Sequence, residues 1–150
     1  MKSLKITINK ERVYEEVAQT TSYTGAKMEG DSSAYDRIFT TDADRSQLER
    51  FWAESCAAVC EGMKKHLGAT EERAEGFVID LELSSSYDDT LSDALRKDME
   101  SFFVMNITGK WFSFTNKPES GAYAEAAASF MDGARRKACF KKKPRRPVYE

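Results

Sequence analysis

This chain predicts a mainly α fold, a four-helix bundle with a short two-stranded β-ribbon. Three observations carry the prediction. Apolar residues recur at helical spacing over three long segments. Two short segments alternate instead with the period of two that belongs to strands. The 150 residues, 41% hydrophobic and 32% charged, suit one globular core under a heavily charged surface.

In chain order, Leu4-Lys5-Ile6-Thr7-Ile8 alternates and is β-branched, so it reads as a strand. Asn9 is placed to cap a helix from Lys10 to about Met28, with Val13, Val17, Thr20, Thr24 and Met28 along one side. Gly30-Asp31-Ser32-Ser33 reads as a loop, and Tyr35 to Phe39 as a lid tucking Ile38 and Phe39 into the core. Thr41, Asp42 and Asp44 announce the second helix. Its stripe of Leu48, Trp52, Cys56, Val59, Met63 and Leu67 is closed by Gly68. Residues 69–75 are polar and read as a loop.

Phe77, Ile79, Leu81 and Leu83 alternate in a second strand, with Val78 as the one break. Asp89 or Thr90 then caps a third helix with Leu91, Leu95, Met99 and Phe102 on one face. Residues 102–114 are apolar nearly all round. Helix is favoured over a hairpin turning at Thr108-Gly109-Lys110, because no proline or cap interrupts the segment. Asn116 and Glu119 have capping-box spacing, with Pro118 in the first turn. The fourth helix carries Tyr123, Ala127, Phe130, Met131, Ala134 and Ala138 on one face, and its small residues permit a close helix neighbour. The order strand-helix-helix thus occurs twice. The expected division is one helical domain, 1–140, and a basic, flexible tail, 141–150.

Chemistry-bearing residues form no recognisable catalytic or metal-binding constellation. Cys56 and Cys60 lie about 40° apart on a helix and His66 about 120° from Cys60, so the three would not converge on a metal. A fourth ligand would have to come from Cys139 or a carboxylate. The three cysteines, odd in number and two of them inside a helix, read as reduced. His66 is the single histidine, and neither serine nor cysteine stands in a nucleophile-elbow context. The paired acids, Asp80 and Glu82 among them, read as caps and solvated faces, and the glycines form no phosphate loop. The expectation is a protein that is not an enzyme, with no cofactor, metal or evident small-molecule substrate. A convergent pocket joining His66 to Glu or Cys would reopen the enzyme reading.

Charge is unevenly spread. The net is −2, yet eight basic residues and one acid follow from Arg135 onward, leaving 15 basic against 24 acidic residues in 1–134. Lys141, Lys142, Lys143, Arg145 and Arg146 make a basic tail on an acidic body, suited to docking on protein or to neutralising phosphates, with Phe140 and Tyr149 available for stacking. Trp111 and Phe112 are the expected exposed apolar patch. No segment has the length and apolarity of a membrane span or the apolar core of a signal peptide, so the expected location is the cytoplasm, with no membrane partner.

Several segments together carry a resemblance. They are Tyr35-Asp36-Arg37-Ile38-Phe39-Thr40-Thr41-Asp42 leading into Leu48-Glu49-Arg50-Phe51-Trp52, Lys110-Trp111 followed by Thr115-Asn116-Lys117, and the closing Lys142-Lys143-Pro144-Arg145. Across much of residues 35–147 the chain resembles small uncharacterised proteins from structural gene modules of tailed phages and prophages. That resemblance implies a head–tail or tail component, cytoplasmic until incorporated into a particle, and transfers no functional residues. The leading expectation is a structural or assembly protein with protein partners or self-association; a nucleic-acid-binding accessory protein acting through the tail is the alternative.

Overall fold

Antiparallel strand pairing and one long buried helix organise this protein. The structure, a computed structural model, describes residues 1–27 and 44–144. The expected loop at 30–33, the lid at 35–39, the capping residues Thr41 and Asp42, and Arg145, Arg146 and Tyr149 lie outside the described residues. The order is β1 (Lys2–Asn9), α1 (Lys10–Lys27), α2 (Arg45–Gly62), β2 (Leu67–Arg73), β3 (Gly76–Leu83), a 3-10 turn (Asp89–Leu91), α3 (Ser92–Thr115) and α4 (Lys117–Cys139). The described residues are thus mainly helical, with four α-helices and a small antiparallel sheet. None of these helices is long and apolar enough to cross a membrane.

The sheet has three strands in the order β1-β3-β2, which corrects the expected two-stranded ribbon. The third strand is the polar segment taken for a loop. All but the first two residues of β2 are exposed, so it lacks an alternating signature and is held by its backbone ladder to β3. An edge strand needs no apolar face of its own. The helix before it stops at Gly62 rather than at Gly68, and Gly68 falls where the β2 register shifts. A Cβ there would come within 3.0 Å of the Asp80 carbonyl oxygen, a close backbone approach typical of an irregular strand. Ala74 and Glu75 make the tight β2–β3 turn, since Arg73 already pairs with Gly76. Gly76 also faces β1, and a Cβ there would overlap the Ile8 carbonyl oxygen.

Register places Ile6 opposite Ile79, Ile8 opposite Phe77 and Leu4 opposite Leu81, so β1 and β3 together present an apolar face. Together with buried residues of all four helices it forms one hydrophobic cluster. Val78 points the other way, between Thr7 and Glu71. It is buried there without joining that cluster, which explains the break in alternation. Asp80 and Glu82 share this second face.

Segment 102–114 is helix, within α3, as the sequence favoured. Its all-round apolarity has a direct cause, because α3 is covered on several sides. Phe103 is fully buried, with its ring 4.7 Å from Trp52 of α2 and 6.3 Å from Phe77 of β3. On another side α4 lies antiparallel to it: Phe112 meets Tyr123, Gly109 meets Ala124, and Asp98 meets Gly133 and Lys137. Gly109 costs helix propensity but admits the α4 backbone, with the Ala124 nitrogen 3.4 Å from a notional Cβ. Trp111 and Phe112 are therefore buried, at 8% and 0% exposure, and the expected surface patch is corrected.

The caps also differ in part. Asn9 Oδ1 accepts from the Arg12 amide as expected. Asp88, one residue earlier than expected, caps the 3-10 turn by accepting from the Thr90 amide, and α3 starts at Ser92. At α4 the Glu119 amide donates to the Asn116 backbone carbonyl rather than to its side chain, so Asn116 marks the start without forming the box. In α1 the buried face is Val13, Tyr14, Val17 and Thr21, turned from the expected Thr20 and Thr24.

Ion pairs tie α1 to its neighbours. Lys10 Nζ lies 2.8 Å from Glu49 of α2, and 5.4 Å from the centre of the Trp52 ring. Arg45 bonds Glu11 and Glu49 and covers the Tyr14 ring. Buried Glu100 of α3 forms ion pairs with Arg12 and Arg96, each at 2.9 Å. A buried carboxylate without such partners would be costly.

Replacing Phe103 by Ala is expected to lower unfolding free energy by about 3–5 kcal/mol, measured by urea denaturation. Burial opposes ionisation of Glu49, but hydrogen bonds and charges from Lys10 and Arg45 outweigh it and hold the carboxyl below its usual range. Its stabilising contribution is therefore present above the ordinary carboxylate range and lost as pH falls through the lower folded value. Glu49→Gln is expected to show a shallower loss of stability below about pH 4.3 than the wild type in urea titrations.

Candidate functional site

The C-terminal end of α4 gathers cations from three parts of the chain. Helix α4 brings Arg135, Arg136 and Lys137, and the chain beyond it Lys141, Lys142 and Lys143. Lys64 and Lys65 arrive from the turn after α2. The positions follow from the fold: α2 packs across α4 near Gly62, where a notional Cβ would meet the Met131 side chain. The turn after Gly62 therefore lies beside the last turns of α4.

The tail does not leave the body at once. Lys141 bridges Tyr87 in an antiparallel pairing, and the Lys142 amide donates to the Ser86 carbonyl at 2.8 Å. Lys142 Nζ stands 3.8 Å from Asp88. Asp88 is held below the usual carboxylate range by the Thr90 hydroxyl and amide and by the charges of Lys142 and Lys2. The root of the basic segment is thereby anchored, with the side chains of 141–144 exposed.

Some of these charges are matched by acids. Lys64 pairs with Glu61, Arg136 with Asp132 and Lys137 with Asp98. Lys65, Arg135, Lys141 and Lys143 make no ion pair with a described residue. The phenyl ring of Phe140, 53% exposed, lines a shallow recess with Asp88, Leu91, Gly133, Arg136 and Lys137. This end of the molecule is thus rich in positive charge without an ion pair to a described residue, and it carries an exposed aromatic group, Phe140.

A second recess of about 260 Å³ opens on the same end, lined by Glu61, Lys64, Lys65, His66, Arg135 and Cys139. His66 Nε2 lies 3.3 Å from Cys139 Sγ, a contact spanning 73 residues of sequence. His66 is half-buried and Cys139 exposed. The other thiols differ. Burial pushes Cys56 well up, with the Glu72 carboxylate adding to it, and the same two causes raise Cys60 more gently. Among the described residues no three His, Cys, Asp or Glu side chains converge as a metal site.

The expected site residues thus separate. Lys141, Lys142 and Lys143 lie in the cationic end. Trp111 and Phe112 are in the core near the start of α4, and from Tyr123 to Cys139 the helix alone spans roughly 24 Å. Sequence reasoning placed His66 at the edge of the second helix and missed its pairing with Cys139. Once the helix stops at Gly62, His66 is free to turn toward α4. No local pattern announces a contact so distant in sequence. No protein-family model, curated protein or solved structure matches the chain.

Proposed function

We propose that this chain is a non-enzymatic structural or assembly protein, and that it works by contact through the cationic end of α4. The observation that carries the reading is the set of cations at this end without an ion pair to a described residue, Lys65, Arg135, Lys141 and Lys143, together with exposed Phe140. Charged groups set the rate and orientation of association, and an exposed aromatic group supplies apolar contact. The acid-rich remainder of the chain offers a complementary surface on a second copy, so self-association is the simplest partner. The resemblance to structural-module proteins of tailed phages supports the same class, a virion assembly component of the head–tail or tail kind.

A second reading, a nucleic-acid accessory protein, draws on the same place. A row of exposed lysines beside an exposed phenyl ring suits phosphate contacts with base stacking. The partner's charge distinguishes the readings. Light scattering after size-exclusion chromatography, at low and high salt, is expected to show a defined oligomer for the wild type and its loss in a Lys65→Glu, Lys143→Glu variant. A monomer under every condition that binds DNA, with affinity falling steeply as salt rises, would overturn the assembly reading and favour the second.

A further inference from the structure

Cys139 and His66 have a geometry that the contact reading does not use. The thiol is exposed at the last residue of α4, and an imidazole nitrogen lies 3.3 Å from its sulfur. The pair stands in a recess, with Lys64, Lys65 and Arg135 on its walls. Lys64 is answered by Glu61 at 3.1 Å, whereas Lys65 and Arg135 have no carboxylate partner among the described residues. The recess therefore joins a nucleophile, a base within proton-transfer reach and two uncommitted cations.

We infer that this recess is a thiol-modification site taking small disulfides that carry carboxylates, with Cys139 as the nucleophile and His66 as its base. The ring accepts the thiol proton at Nε2 while its own proton sits on Nδ1. Cys139 Sγ then attacks one sulfur of the disulfide in line with the other. The Cys139–sulfur bond forms as the disulfide bond breaks, and the departing half leaves as a thiolate that takes up a proton from the imidazolium. The protein thiol is oxidised to a mixed disulfide, and the incoming disulfide, the oxidant, is reduced by one half. Lys65 and Arg135 hold the ligand's carboxylates and so select anionic over uncharged disulfides.

Position gives the modification a consequence. Cys139 immediately precedes Phe140 and the Tyr87–Lys141 bridge, so an anionic adduct would sit against the root of the basic segment and offset part of its charge. The other two thiols are poor competitors, since burial and Glu72 work against their ionisation.

The test is the rate of modification of the full chain by dithionitrobenzoate, a dianionic disulfide, and by dithiodipyridine, an uncharged one. The modified residue is identified by peptide mass spectrometry. Cys139 is expected to react first with both, and Cys139→Ser to remove the fast phase. His66→Gln is expected to slow both reagents by about tenfold or more. A Lys65→Glu, Arg135→Glu variant is expected to slow the dianionic reagent by about threefold or more and leave the uncharged one unchanged. Urea midpoints confirm that each variant is folded. If Cys139 reacts no faster than in the urea-unfolded chain and ignores His66→Gln, the site is overturned. If charge reversal leaves the ratio of the two rates unchanged, selection of anionic disulfides is overturned.

Discussion

Burial of α3 on several sides is the constraint from which the rest follows. Its residues face the apolar side of the sheet through Phe103 and Phe77, α2 through Trp52, and α4 through Phe112 and Tyr123. A helix surrounded in this way can be apolar around most of its circumference, and 102–112 is, with Asn106 and Lys110 as its polar exceptions. The sheet is too small to persist without such cover, because three short strands with one wet face need a helix against the other. The close passage of α4, admitted by Gly109, aligns the two helices antiparallel. Their register fixes where α4 ends, and hence where the cations gather.

Electrostatics divides the surface along the same lines. Where α1, α2 and α3 meet, Lys10, Arg12, Arg45 and Arg96 each find carboxylates. Partly buried pairs of this kind hold helices in register more than they stabilise them. At the far end of α4 four cations have no such partner among the described residues, and Phe140 is exposed there. An acidic protein thereby presents one positive surface. His66 and Cys139 share that surface, so chemistry at the thiol and contact through the cations are neighbours.

The legible parts of the fold are those whose signal is local. Alternation at Phe77–Leu83, the helical stripe from Leu48 to Met63, and Asn9 and Pro118 at helix starts are local patterns, and each fell where the sequence placed it. Strand β2 was illegible because an edge strand held by backbone bonds has no side-chain period to read. Trp111 and Phe112 were misplaced because apolarity alone does not tell a covered helix from an exposed patch; the cover is α4, and only packing shows it. In the site, the lysines were visible as composition. The joining of Lys65 to Arg135 and the His66–Cys139 pair were not, because they converge only after α2 stops at Gly62 and α4 folds back along α3.

Hydrogen–deuterium exchange along the chain tests the central role of α3 most directly, since the slowest amides report the most cooperative unit. Residues 99–112 are expected to exchange last, β2 to exchange early as an edge, and the Lys142 amide to be protected relative to its neighbours by its bond to Ser86. Exchange in 99–112 as fast as in β2 would contradict a fold organised around α3, and with it the placement of the cationic end.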